Sequence, residues 1–260
     1  MDRHKIGFAI VASLISIIFI MIVNYLTSPN YMWFIYPVFA LLFWPGSIIF
    51  IAKKKYKLQS IFGSVVIITF LIITNYLHSP DYLWFHYAIF PIIWWPVSAF
   101  YGEKAKTLSF ALIGSMSTIL YYSLLNVIMS HQHPWAIYPA FIVLWWPLAL
   151  YYARKKDYFG LSVSGSLLTI LFFITVNAVS SPSTIWAIYP AFIVLWWPLA
   201  LYHARKRDYF GLSVSGSLLT ILFFITVNAV SSPSTIWAIY PIFIVLWWPL
   251  SMYYYQFKRR

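Results

Sequence analysis

Residues Tyr158 to Pro190 read YFGLSVSGSLLTILFFITVNAVSSPSTIWAIYP, and the same letters recur without a change from Tyr209 to Pro241, 51 residues later. The 51-residue spacing extends over the whole chain in more divergent copies. It is carried by a tryptophan, an asparagine and the proline of a Trp-Pro pair: Trp33, Trp84, Trp135, Trp186 and Trp237; Asn24, Asn75, Asn126, Asn177 and Asn228; Pro45, Pro96, Pro147, Pro198 and Pro249. This period predicts five tandem units, with boundaries at 1–55, 56–106, 107–157, 158–208 and 209–260.

Each unit contains two apolar runs of spanning length, which in the first unit are Ile6 to Leu26 and Trp33 to Ala52. At a rise of ~1.5 Å per residue, about 20 helical residues cross the ~30 Å hydrocarbon core of a bilayer. Only helices and closed barrels satisfy the backbone in lipid, and the period-two alternation of barrel strands is absent. The predicted fold is an all-α integral membrane protein with ten transmembrane helices, arranged as five helical hairpins in the same orientation.

The composition excludes a water-soluble domain and a disordered chain. Of the 260 residues, 62% are hydrophobic, 8% are charged and 22% are aromatic, whereas a soluble domain is about half apolar and about a quarter charged. A disordered chain lacks apolar surface to bury, and this chain has ample apolar surface. There is no cysteine, so disulfides, thiolate metal sites and thiol nucleophiles are excluded.

The basic residues predict the orientation of the hairpins. All 17 Lys and Arg residues lie at the two ends of the chain or in the connectors that follow the second runs: Arg3, Lys5, Lys53, Lys54, Lys55, Lys57, Lys104, Lys106, Arg154, Lys155, Lys156, Arg205, Lys206, Arg207, Lys258, Arg259 and Arg260. Short loops rich in Lys and Arg stay in the cytoplasm, so we expect both termini and the basic connectors on the cytoplasmic side of a bacterial cell membrane. The net charge of +12 is therefore explained by topology, and no nucleic-acid partner is predicted. The first run has no A-x-A-like cleavage site, and we expect a retained helix.

The asparagines Asn24, Asn75, Asn126, Asn177 and Asn228 lie a few residues before the predicted outer turns. An amide there can cap the helix end or bond a neighbouring helix, which is the interpretation we favour. The alternative is a polar ring that lines a substrate vestibule, and these five positions are the candidate binding residues.

Small residues recur within each first run, at Ala12 with Ser13, Gly63 with Ser64, Gly114 with Ser115, Gly165 with Ser166 and Gly216 with Ser217. Helix backbones approach closely at such residues in lipid. We expect helix contacts there, with the tryptophan pairs of the second runs packing into the notch.

The second runs begin at an interfacial Trp and contain prolines. Pro37, Pro139, Pro190 and Pro241 lie near the start, the second unit has Pro91 instead, and the Trp-Pro pairs follow. Prolines at two positions can leave two carbonyls per helix without a donor and kink the helix. Such kinks build transporter sites in some proteins, and we favour a fixed packing role.

No Asp, Glu, Lys or Arg lies inside the predicted segments, although proton relays and ion pathways usually need them. Walker loops, H-E-x-x-H and nucleophile elbows are also absent. We therefore predict a non-enzymatic protein without catalytic residues or cofactor. The outer-turn histidines His78, His131 and His133 have few acidic partners, and we predict no metal site from them.

The runs NYLTSPNYMWFIYP from Asn24 to Pro37 and NYLHSPDYLWF from Asn75 to Phe85 resemble the two-transmembrane-helix (2TM) domain family of bacteria. Hairpins of that family have an Asn near the end of the first helix, a short polar turn, and Trp-Phe with Pro at the start of the second. The chain departs from the family in having Trp-Pro where Trp-Gly is usual and mostly Tyr where a His is usual. The resemblance implies five consecutive copies and brings no defined activity.

Two functions follow from these features. The favoured one is a multi-pass membrane repeat protein that acts as a scaffold or binds a membrane protein partner, with its basic inner loops on anionic lipid headgroups at about 1 kcal/mol per nearby charge. The alternative is a transporter or channel for a neutral or lipophilic solute.

Overall fold

The structure, a computed structural model, describes residues 3–130 and 133–257. Within these ranges it contains helices and turns and no strand. The helices are α1 Arg3–Thr27, α2 Ile35–Ala52, α3 Tyr56–His78, α4 His86–Tyr101, a 3₁₀ helix Gly102–Lys106, α5 Leu108–Met129, α6 Ile137–Lys155, α7 Tyr158–Ser180, α8 Ile188–Lys206, α9 Tyr209–Ser231, α10 Ile239–Val245 and α11 Trp247–Phe257.

Helices α10 and α11 are two parts of one apolar run. Leu246, between them, keeps helical dihedral angles (φ −62°, ψ −23°). The equivalent prolines Pro45, Pro96, Pro147 and Pro198 lie inside continuous helices, so the interruption is particular to the fifth unit. The helices of the described residues thus coincide with the ten apolar runs of the sequence.

Six helical stretches in the described residues are long and apolar enough to cross a membrane: Ile6–Thr27, Ile35–Ala52, Tyr56–His78, Leu108–Met129, Tyr158–Ser180 and Tyr209–Ser231. They comprise every first helix of a unit and the second helix of the first unit. The remaining second helices are shorter, as α4 is with 16 residues, or carry basic residues in the last turn, as α6 and α8 do. By length and composition the chain is therefore a membrane protein with several spanning helices.

The chain forms two compact parts, Met1–Phe110 and Ala111–Arg260. In the first part, α1 packs on α2, α2 on α3 and α3 on α4. In the second part, α6 packs on α7, α7 on α8 and α8 on α9, and α9 packs on both α10 and α11. Each part is thus a row of helices in contact with their neighbours along the chain, as in solenoid proteins.

Most of the buried side chains are small or polar, with Phe85, Phe110 and Leu125 as the largest apolar exceptions, whereas many large apolar side chains face outward. The largest side chains with no exposed surface are Asn75, Ser60, Ser115, Ser162 and Ser213. Many Leu, Ile, Phe and Val side chains of the long helices are more than a third exposed. A water-soluble core has the reverse distribution, and lipid-embedded helices associate through small residues in this way.

Tryptophan rings occupy the space that the glycines of the first helices leave. A Cβ atom on Gly165 would lie 2.6 Å from the Trp145 ring and 3.0 Å from the Trp197 ring. One of these rings comes from the preceding unit and the other from the same unit. Gly216 has the same two neighbours one period later, Trp196 at 2.7 Å and Trp248 at 2.8 Å.

The first part of the chain has a related arrangement. A Cβ atom on Gly63 would lie 2.4 Å from the Trp95 ring and 3.4 Å from Phe43, which replaces the preceding unit's tryptophan. The predicted packing of the tryptophan pairs into glycine notches is therefore confirmed at three glycines.

We expect Gly165→Ala to destabilise the protein by about 1–3 kcal/mol. The added methyl group must displace two tryptophan rings from the joint, which is the packed contact between one unit and the next. Thermal unfolding of the purified protein in detergent measures the effect. Gly7→Ala is the matched control, since a Cβ atom on Gly7 meets nothing within 4 Å and alanine favours the helix. Equal effects of the two substitutions would contradict the notch.

Candidate functional site

The asparagine of each unit holds together the turn between the two helices of that unit. In the fourth unit, Asn177 donates from Nδ2 to the carbonyls of Ser181 at 2.8 Å and Thr184 at 2.6 Å. Its Oδ1 accepts from the N–H of Ala187 at 2.8 Å. Ala187 is the residue before α8, so one amide joins the end of α7, the turn and the start of α8.

All five asparagines make the same three hydrogen bonds, at distances from 2.6 to 3.0 Å. The partners are the carbonyls four and seven residues later and the N–H ten residues later. At most 7% of each asparagine is exposed. The predicted role in the turn is confirmed, and both amide hydrogens point into the turn. A polar ring for ligand binding at Asn24, Asn75, Asn126, Asn177 and Asn228 stays a prediction.

In four of the five units, a serine of the first helix bonds a carbonyl that a proline leaves without a donor. A proline removes the helical hydrogen bond to the carbonyl four residues earlier. For Pro198 that carbonyl belongs to Val194, and the Ser166 hydroxyl donates to it at 3.1 Å. The bond runs from α7 to α8 within one unit.

The same bond recurs in three further units. Ser64 donates to Ile92 at 3.0 Å, Ser115 to Val143 at 2.9 Å and Ser217 to Val245 at 3.4 Å, in each case four residues before the proline of the Trp-Pro pair. The sequence pattern identified these serines as small packing residues, and their role as donors was missed. The sequence does contain a sign of this pairing, because the serine always precedes the proline of the Trp-Pro pair by 32 residues.

The first unit departs from this pattern. The Ser13 hydroxyl is buried and has no hydrogen-bond partner. Its unit is also the one with alanine, Ala12, in place of the glycine.

The prediction that two carbonyls per helix lose their donors is wrong for the units with an early proline. Pro190 lies in the first turn of α8, which begins at Ile188, where a backbone N–H has no helical acceptor. The carbonyl four residues earlier, that of Trp186, accepts from the N–H of Tyr189 at 3.1 Å. Equivalent bonds precede Pro37, Pro139 and Pro241, so the Trp-Pro proline is the one that needs an external donor.

The basic connectors between units in the second part are short and locally fixed. Helix α6 ends at Lys155, Lys156 adopts a left-handed conformation (φ 54°), and Asp157 caps α7 by accepting from the N–H of Gly160 at 2.9 Å. Arg207, Asp208 and Gly211 repeat this arrangement one period later. A tight connector of this kind fixes the angle between consecutive units.

A polar bridge joins consecutive units next to these connectors. The Tyr152 hydroxyl of α6 and the Ser164 hydroxyl of α7 are hydrogen-bonded at 2.6 Å. One period later a histidine takes the place of the tyrosine, and His203 Nε2 lies 2.9 Å from the Ser215 hydroxyl. His203 is buried, and its Nδ1 lies 3.3 Å from Asp208.

The further contacts of Ser215 and His203 are local to this joint. The Ser215 hydroxyl also donates a hydrogen bond to the Gly211 carbonyl of its own helix, at 2.7 Å. His203 Nδ1 is close to Asp208 and lacks hydrogen-bond geometry. The contact is a variant of the tyrosine bridge in the preceding joint.

Apolar grooves lie at the joints between units. A groove of about 250 Å³ between α2 and α3 is lined by Phe39, Leu42, Phe70 and their neighbours. A second groove of about 360 Å³ lies among α7, α8 and α9, with Phe159 and Tyr202 in its wall. Arg205 and Lys206 lie over these two rings, at 5.5 and 4.2 Å from the ring centroids. The end of this groove next to the basic connector is therefore both apolar and positively charged.

Of the three outer-turn histidines, His131 lies outside the described residues. His78 Nε2 lies 3.1 Å from the Tyr36 hydroxyl, across the first joint. Among the described residues no group of three or more His, Cys, Asp or Glu side chains could hold a metal ion.

No family model, curated protein or solved structure matches this chain. The resemblance to the 2TM domain family thus stays a prediction.

We expect Asn177→Ala to destabilise the protein by about 2–4 kcal/mol. The buried N–H of Ala187 and the part-buried carbonyl of Thr184 lose their bonds to the amide at about 1–3 kcal/mol each, whereas the Ser181 carbonyl keeps the Thr184 N–H. The melting temperature in detergent measures the loss. Asn30→Ala, in an outer turn and exposed, is the control and should leave the melting temperature unchanged. A mild effect of Asn177→Ala would show that the turn does not depend on the amide.

The serine bond has a built-in control. We expect Ser166→Ala to cost about 0.6–1.7 kcal/mol, the range measured for hydrogen bonds between membrane helices. Ser13→Ala removes a hydroxyl that has no partner and should have no cost or a slight gain. Unfolding free energies in denaturant-detergent mixtures compare the two, and a Ser13→Ala variant as unstable as Ser166→Ala would refute the assignment.

Proposed function

We propose that the protein is a non-enzymatic multi-pass membrane repeat protein that serves as a scaffold or as a module for membrane protein and lipid partners. The observation that carries the proposal is the distribution of polar groups. The buried asparagines form hydrogen bonds within their own turns. Four of the five repeated serines donate to carbonyls that a proline leaves without a helical donor. The exposed surface of the helices, in contrast, is apolar. The polar chemistry is thus used to hold the helices together.

The proposed topology is ten transmembrane helices in five hairpins, with both termini on the cytoplasmic side of a bacterial cell membrane. The recurrence of the asparagine and serine bonds at 51-residue spacing supports equivalent hairpins. All twelve Lys and Arg residues of the internal connectors are exposed: Lys53, Lys54, Lys55, Lys57, Lys104, Lys106, Arg154, Lys155, Lys156, Arg205, Lys206 and Arg207. The Lys155 ammonium donates a hydrogen bond to the Tyr151 hydroxyl, which raises the pKa of Lys155. Like the other connector lysines it is charged at neutral pH, and this charge supports a cytoplasmic position of the connector.

Anionic lipid headgroups are the proposed partners of these connectors. Each exposed Lys or Arg near the bilayer surface contributes about 1 kcal/mol of attraction to an acidic headgroup. The groove below Arg205 and Lys206 offers an apolar surface for an acyl chain next to the charges.

A transporter or channel for a neutral or lipophilic solute is the alternative. It is motivated by the proline-containing second helices, which have an interrupted hydrogen-bond ladder in the fifth unit. Uptake into proteoliposomes across a panel of neutral solutes separates the two functions. Solute flux that requires the protein would favour the transporter, and silence across the panel would favour the scaffold.

Single cysteines test the topology, because the chain has no native cysteine. An impermeant thiol reagent applied to intact cells should label cysteines at Asn30, Ser183 and Ser234 in the outer turns. Cysteines at Lys55, Lys155 and Lys206 should react only after the cells are opened. All six positions are exposed on the protein, so a difference in labelling between the two sets reflects the side of the membrane. Labelling of the second set in intact cells would overturn the proposed orientation.

A further inference from the structure

An aromatic stack joins consecutive units at three places. The rings of Phe141 in α6 and Phe172 in α7 are stacked with centroids 4.1 Å apart. Phe192 and Phe223 repeat the stack at 4.1 Å, one period later. Phe39 and Phe70 form it at 4.2 Å in the first part of the chain. Each stack pairs the second helix of one unit with the first helix of the next.

A tyrosine and a tryptophan complete this joint. Tyr138 packs edge-on against Phe172 at 5.9 Å. Trp145 packs against Trp197 of the next unit at 6.4 Å and over Gly165. The joint is therefore a defined set of aromatic contacts that recurs along the chain.

The first unit presents the half of this joint that belongs to a first helix, and the fifth unit presents the half that belongs to a second helix. In both units the ring of this half is exposed. Phe19 of α1 lies whole multiples of 51 residues before Phe70, Phe172 and Phe223, and it is 65% exposed. Phe243 of α10 lies whole multiples of 51 residues after Phe39, Phe141 and Phe192, and it is 63% exposed. The six internal equivalents are all only partly exposed.

The residues around Phe243 are already arranged as they are in the internal joints. Phe243 contacts Trp247 edge-on at 6.1 Å, and the pairs Phe141–Trp145 and Phe192–Trp196 have the same geometry at 6.3 and 6.1 Å. Tyr240 and Trp247 are exposed beside it. The α10 and α11 surface is thus a preformed half-joint.

We propose that a second copy of this chain docks head to tail, with the α1 face around Phe19 of one copy against the face around Phe243 of the other. The contact between copies would continue an interface that the chain forms three times internally. The proposal rests on the topology proposed above, in which all units share one orientation, because the two faces then lie at the same membrane depth. A head-to-tail interface uses two different surfaces and builds a ring or an open row of copies.

One residue of the α1 face departs from the internal joints. Ala12 lies where Gly165 and Gly216 receive the rings of Trp145 and Trp196 at 2.6 and 2.7 Å. In the docked pair, the methyl group of Ala12 displaces the ring of Trp247 from this position. The intermolecular joint is consequently weaker than the internal ones, and Ala12→Gly should strengthen it.

Cysteine crosslinking tests the contact directly. Ile22→Cys and Ile239→Cys occupy the positions of Ile73 and Ile35, which line opposite walls of the first internal joint. The two single-cysteine proteins, reconstituted together in liposomes and treated with a short bis-maleimide, should form the mixed dimer in preference to either like pair. Like pairs as abundant as the mixed one would overturn the head-to-tail arrangement.

The association constant in liposomes, from single-molecule photobleaching at increasing lipid-to-protein ratio, measures the contribution of the stack. Phe243→Ala or Phe19→Ala should lower it about five-fold, the effect of one aromatic pair. The double variant should be no weaker than either single variant, because the two rings contact each other. Additive losses would place the two rings in separate contacts and refute the stack.

Ile244→Ala is the matched control. Ile244 is 69% exposed, and its equivalents Ile142 and Ile193 are both 68% exposed within the row of units, so this position faces away from the joint. It should leave association unchanged. If Phe243→Ala and Ile244→Ala behave alike, lipid and not a second copy covers the face. The cysteine labelling of the turns tests the orientation independently, so it shows whether a lack of association reflects the interface alone or a wrong topology.

Discussion

A proline in the middle of a helix leaves one carbonyl without its N–H donor, and the rest of this structure is organised around that deficit. Lipid offers no water to satisfy the group, so a donor must come from another helix. Here it is a serine hydroxyl of the preceding helix, at 2.9 to 3.4 Å in four units. A serine side chain is short, and the two helix backbones must therefore approach closely. The small residues beside the serine allow this approach, and the tryptophans before the proline fill the space that remains.

The asparagine of the outer turn solves the same problem at the helix end. Its three hydrogen bonds satisfy two carbonyls and one N–H of a reversal that has neither helical partners nor a large core around it. Because the polar groups inside each unit are used in this way, the outer surface can be apolar throughout. Differences between similar units then indicate where specific contacts lie, as where His203 takes the place of Tyr152 in the bridge to the next unit.

Repetition has a further consequence for a row of helices. When every unit contacts the next through the same surface, stability is close to a sum of unit and joint contributions. The two faces of a joint are complementary by construction, and both faces are present in an exposed form on the chain. In water such faces would drive aggregation, whereas in lipid they are tolerated, and shape and aromatic stacking decide whether they associate.

The sequence by itself determined the 51-residue period, the apolar runs that became helices, the turn role of the asparagines and the packing of tryptophan on glycine. These features are local or depend on residue size, and periodicity shows them directly. Only the tertiary structure decided which hydroxyl serves which carbonyl, that the early prolines remove no bond, and that Tyr152 and His203 bridge consecutive units. Those pairings join residues on different helices, and their existence depends on distances set by packing. A repeat in the letters shows that environments are equivalent, and the folded chain alone shows which atoms meet in them.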